Sequence, residues 1–145
     1  MNELRLEVTQ FTDADRWRWR LTDAYGAFKA DQQVTLSRAD SEYEAFADLY
    51  GYVRYHAAPD QRLEYEAEII DRLGRWIGER VLGPIADRIV EYAPVTVLVR
   101  LPAPAIGLMY RPLELGHANG GPLSVQEVSS VYETADPSQC PGRWR

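Results

Sequence analysis

The sequence predicts an α/β or α+β domain in which helices cover a sheet. Three observations carry this: period-two alternation in short runs over residues 4–36, apolar positions at helical spacing over residues 41–90, and the apolar run Val95–Leu101 held between two prolines. A chain of 145 residues can enclose one core and has no room for a second full domain. We assign residues 1–133 to a single domain and 134–145 to a disordered tail.

Leu4, Leu6 and Val8 alternate with Arg5, Glu7 and Thr9, the pattern of a half-buried strand. The turn-forming residues Thr12 to Asp15 separate it from RWRWR, where Trp17, Trp19 and Leu21 share one face and Arg16, Arg18 and Arg20 the other, so the two strands can pair as a hairpin. Asp23–Asp31, with Gly26, reads as a connection, and Val34 and Leu36 close a third short strand. Tryptophan beside arginine suggests a stacking platform for single-stranded nucleic acid. In a strand, however, the two residue types point to opposite faces, which favours tryptophans in the core and arginines in solvent.

Three helices are predicted next. Asp40 or Ser41 caps the first, Ser41 and Glu44 have capping-box spacing, and Phe46, Leu49, Tyr50 and Val53 form one stripe that ends near Ala57, before Pro59. The second starts near Asp60 and carries Leu63, Ala67, Ile70, Leu73, Ile77 and Val81, flanked by Ile69 and Trp76, as a wide buried face. Gly83 ends it, and Pro84 opens a short third helix with Ile85 and Ile89 inward.

The stretch PVTVLVRLPAPAIGLMYRPLEL follows. Val95, Val97, Val99 and Leu101 share one parity and Leu98 the other, which predicts a central strand with both faces covered, bracketed by Pro94 and Pro102. A stiff proline-containing loop comes next, and Ile106–Tyr110 reads equally as a helical turn or a short strand. Asn119-Gly120-Gly121 signals a turn before the strand-like Leu123–Val125, with a further strand at Val128–Tyr132.

The net charge of −6, from 22 acidic against 16 basic side chains, argues against a nucleic-acid partner. No apolar run approaches the roughly 18 residues of a membrane helix. A single cysteine and an amino terminus without signal-peptide character point to the cytoplasm.

The segments LGRWIGERVLGPI, PVTVLVRLP and LMYRPLELGHANGGPLSVQEVSSVYE together resemble the amino-terminal part of bacterial CHAT-domain proteins, a caspase-like family often attached to tetratricopeptide repeats. Pro112, Glu114 and Leu115 match that family's P-x-E-L element, and Gly121, Pro122 and Leu123 partly match its G-x-P-L hairpin; Leu113 stands where the family often has an aromatic residue. The similarity covers roughly residues 60 to 133. It implies the leading portion of a caspase-like α/β domain without its active site, because the family's histidine and cysteine motifs lie downstream of the matched segment. No catalytic residue is carried over.

The residues themselves offer little chemistry. Cys140 lies in a proline-flanked tail with nothing to position it against a base such as His117 or His56. His117 reads as a solvated turn residue, and His56 as a cation favoured at a helix carboxyl end. No ligand-spaced pair suggests a metal, Glu64, Glu66, Glu68 and Asp71 read as a solvated helix face, and no cofactor is implied. Glu114, between two leucines, must be paired, hydrogen-bonded or turned outward, and we take it as a residue that anchors a loop. The expected function is a non-catalytic piece of a CHAT-like protein that self-associates or binds another protein chain, with no membrane or nucleic-acid partner. The alternatives are a cysteine peptidase or hydrolase using Cys140, or a stand-alone interaction module.

Overall fold

The structure is a computed structural model that describes residues 2–56 and 62–134. The amino-terminal alternation forms two long strands, β1 (Asn2–Asp13) and β2 (Arg16–Asp23), followed by β3 (Phe28–Thr35). Helices α1 (Ser41–Ala47), α2 (Leu49–His56), α3 (Arg62–Trp76) and α4 (Pro84–Glu91) precede β4 (Val95–Leu101). The chain then makes 3₁₀ turns at Ala103–Tyr110 and Leu113–Leu115 and a minimal hairpin of β5 (His117–Ala118) and β6 (Gly121–Pro122). A 3₁₀ turn at Leu123–Val125 leads to β7 (Val128–Thr134). The chain is therefore a mixed α/β protein, with a five-stranded sheet in the order β3-β2-β1-β4-β7. The pairs β1/β2 and β2/β3 are antiparallel, whereas β4 lies parallel to both β1 and β7.

One face of this sheet holds the core. Leu4 and Leu6, Trp17, Trp19 and Leu21, Val34, and Val95, Val97, Val99 and Leu101 are all buried there. The helical layer supplies Phe46, Leu73, Trp76, Ile77, Val81, Leu82, Ile85 and Ile89. Trp17 and Trp19 meet edge to face, with ring centroids 5.5 Å apart, and the Trp19 indole N–H donates to the Val81 carbonyl at 3.1 Å. The platform reading of RWRWR is thereby excluded for the tryptophans.

The opposite face is polar, which corrects the expectation that β4 is dry on both sides. Register places Asp31, Arg20, Glu7, Arg100 and Glu133 in one row across the five strands, alternating in sign. Arg100 and Glu133 form an ion pair at 2.7 Å, and Asp31 pairs with Arg18 at 3.0 Å. Leu98 is only half-buried, between Arg5 and Val131, where an arginine stem can shield it without a covering layer. β4 is an inner strand, and the middle place belongs to β1.

The helices depart from the predicted pattern in three places. The first predicted helix is broken at Asp48, whose carboxylate accepts the Gly51 amide at 3.1 Å and so caps α2. This break resets the helical phase: Phe46 and Val53 are buried while Tyr50 is 71% exposed. The Ser41–Glu44 capping box does not form, because Ser41 is already the first helical residue and its hydroxyl donates to Glu42 at 3.0 Å; Asp40 takes the cap position but turns its carboxylate to the Trp76 indole N–H at 3.0 Å. In α3 the buried face begins only at Leu73; Ala67 is exposed and Ile69 and Ile70 half-buried, since the first half of the helix is flanked by α1 and α2 and not by the sheet. α3 runs into a π-helical turn, Ile77–Leu82, which ends at Gly83 with φ +52°. The breaker at Pro59, the start near Asp60 and the tail from Asp136 lie outside the described residues.

Gly74 and Gly78 form a notch in this helix where β5 crosses. A Cβ at Gly78 would overlap the His117 carbonyl oxygen, and one at Gly74 the His117 ring and the Leu115 carbonyl. Gly78→Ala should therefore cost about 1–3 kcal/mol in urea unfolding, as a backbone shift is required, whereas Gly107→Ala, with open space around it, should cost little.

The two core tryptophans give a paired prediction. Trp17 has no hydrogen-bond partner for its buried indole nitrogen, while Trp19 holds the Val81 carbonyl. Both Trp→Phe changes remove similar volume, so Trp19→Phe should destabilise by about 1–3 kcal/mol more than Trp17→Phe. Equal losses would mean that the Val81 bond contributes nothing.

Candidate functional site

A cavity of about 740 Å³, bounded by the α1–α2 junction and the 3₁₀ turns, opens beside β7. Among the described residues β7 pairs only with β4, and its core-facing residues Val128, Ser130 and Tyr132 form one wall. The α1–α2 junction contributes Asp48 and Tyr50, the end of the long 3₁₀ turn contributes Tyr110 and Arg111, and the next turn contributes Pro112 and Glu114. The undecided segment Ile106–Tyr110 thus belongs to a 3₁₀ run, which packs Ala105 and Leu108 inward and leaves Tyr110 79% exposed at the cleft.

Arg111 lines the cleft but is already engaged. Its guanidinium donates to the Ala47 carbonyl at 3.0 Å, at the carboxyl end of α1, and lies over the Phe46 ring. Behind it, the Asp15 carboxylate accepts from the Tyr43 hydroxyl and from Arg38 Nε at 2.9 Å; these bonds, the tyrosine foremost, hold its carboxyl below the usual range. The β1–β2 turn, the first helix and the cleft rim are fixed together by these contacts.

The other polar groups lining the cleft are the Glu114 carboxylate, the Asp48 carboxylate that also accepts from Gly51, the hydroxyls of Ser124 and Ser130, and phenols. Burial pushes the Tyr132 phenol up to about 12, and the charge of Glu114 adds to the rise. At neutral pH that phenol remains a hydrogen-bond donor and is no base. Glu114 itself is exposed, with no hydrogen-bond or ion-pair partner among the described residues, so of the three arrangements open to it the chain takes the outward one. The anchoring role expected of it is not seen.

The other residues singled out in the sequence are scattered. Pro112 and Leu115 are half-buried on either side of Glu114, Leu123 is a core residue, and Gly121 and Pro122 form β6 opposite Ala118 and His117. The Gln126 side-chain amide holds this hairpin by donating to the Ala118 and Gly121 carbonyls at 2.7 and 2.8 Å. His117 is no solvated turn residue: it packs into the glycine notch of α3, with its side chain 19% exposed and Nε2 3.8 Å from Asp71. His56 is the last residue of α2, and Cys140 lies outside the described residues. Among the described residues no group of three or more histidine, cysteine, aspartate or glutamate side chains is placed to hold a metal. No described helix is long and apolar enough to cross a membrane.

Comparison with family models, with curated proteins and with solved structures finds no match to this chain. Sequence reasoning passed over Asp48, Tyr50, Tyr110 and Tyr132. A signal existed for Asp48 alone, a short acceptor side chain within a helix-period run and three residues before a glycine.

The cleft electrostatics can be tested directly. In a tyrosine titration followed by carbon NMR, Tyr132 should ionise near pH 12, above the usual phenol value. Glu114→Gln should lower that midpoint yet leave it above the usual phenol value, because burial is the larger cause. An unmoved midpoint would place Glu114 too far away to matter.

Proposed function

We propose that this chain is a non-catalytic, CHAT-like interaction piece that receives another protein chain along β7. The observation that supports this is the state of that strand: seven residues, parallel-paired on one side only among the described residues, with its inner face covered in part by 3₁₀ turns and otherwise open to the cleft. An edge of this kind presents a row of backbone donors and acceptors, and natural sheets cover or charge such edges when nothing binds there. Of its outer-face residues, Glu133 is already ion-paired with Arg100, while Ser129 and Val131 carry no charge and Val131 is 49% exposed. Strand addition supplies main-chain hydrogen bonds to the edge, and alternate side chains of the incoming strand enter the neighbouring cleft. The resemblance to the leading part of a caspase-like domain fits this reading, since such a sheet continues with further strands.

A photo-crosslinking residue at Ser129 tests it. In cells it should give a discrete adduct, either with a second copy or with another protein, while the same group at Glu79, exposed on the π-helical turn, gives none. Val131→Lys should abolish the adduct without altering the circular dichroism spectrum. No adduct at Ser129 would overturn the proposal.

A further inference from the structure

We infer that the segment received at β7 is extended and basic, and that it places one cationic side chain into the cleft and a second into the cavity beside it; this rests on β7 being the docking edge. Asp48 and Glu114 bring two carboxylates to a wall that also carries the Tyr50, Tyr110 and Tyr132 rings. Among the described residues the one cation lining the cleft, Arg111, is held by the Ala47 carbonyl and the Phe46 ring. Aromatic faces beside carboxylates form a setting for a guanidinium or ammonium group, which gains from ring quadrupole and ion pair together.

A second, smaller cavity of about 180 Å³ adjoins the first and shares Asp48 with it. It repeats the same chemistry on the α1–α2 side, with Glu44 for a carboxylate and Tyr52 and Tyr55 for rings. Two neighbouring acidic and aromatic pockets suit two basic residues on one segment. In a strand the residues at i and i+2 share a face, so alternate positions of an added strand point toward the same side as Ser130 and Tyr132. The charge of the whole chain, −6, favours the same sign of partner at a distance.

The test is fluorescence anisotropy of the full chain with a fluorescein-labelled peptide of alternating valine and arginine, against matched peptides carrying serine or glutamate in place of arginine. The arginine peptide should bind, and raised salt should weaken it. Glu114→Gln and Asp48→Asn should each weaken it about tenfold, ~1.4 kcal/mol; asparagine retains the cap on α2, so the second variant keeps its fold. Equal binding of the arginine and serine peptides overturns the charge inference and leaves β7 as the docking edge. No binding by any peptide, with the Ser129 adduct still formed, also overturns this inference alone; loss of both removes the two proposals together. Binding seen only in the double variant Arg143→Glu and Arg145→Glu would assign the cleft to the chain's own terminal arginines and overturn it.

Discussion

The contact between β2 and the end of the long helix is the constraint on which the other arrangements depend. Trp17 and Trp19 stand on the inner face of the sheet, and the Trp19 indole reaches the Val81 carbonyl. That carbonyl lies in the π-helical turn, near a helix end where acceptors otherwise lack partners. A side chain from a distant strand thus satisfies the helix end and sets the height of the helical layer over the sheet. Gly83 then turns the chain into α4, and the notch at Gly74 and Gly78 lets β5 cross close to the helix axis.

Much of this layering was legible in the sequence because it depends on period. The two-residue alternation of β1 and β2, the inward Ile85 and Ile89, the stop at Gly83 and the parity of β4 all appear as read. The failures share a cause: tertiary partners overrode local patterns. Asp40 has a cap's composition but answers Trp76, and Asp48 breaks a stripe that continues through it unchanged in apolar character. The early apolar residues of α3 stay open because the helix extends past the sheet. Strand order, too, was hidden, since the parallel pairing of β1 with β4 joins segments some ninety residues apart, and no local pattern encodes it.

The cleft was the least legible part. Its wall is built from five separate stretches, and only Pro112 and Glu114 among its residues belong to a motif read in the sequence. Tyr50 reads as part of a helix stripe, Tyr110 as the end of a helical turn or short strand, and Tyr132 as a strand residue; nothing local brings the three together. The polar outer face of the sheet needs no second layer, while the inner face beside β7 is covered only in part. The difference between those two surfaces is chemical: alternating charges pair across the first, whereas the second sets phenols beside carboxylates that have no cationic partner among the described residues.

The parallel placement of β4 beside β1 also has a consequence for the order in which the chain folds during synthesis. The antiparallel meander of residues 2–35 is local and can form as soon as it leaves the ribosome. Its tryptophan face then waits, bare, until Leu73 to Ile89 and finally β4 have been made. For that interval the nascent protein exposes two large aromatic side chains beside an unpaired strand, the kind of intermediate that chaperones hold. The meander of residues 2–35 is thus both the first part able to form and the part most in need of protection while the rest is made.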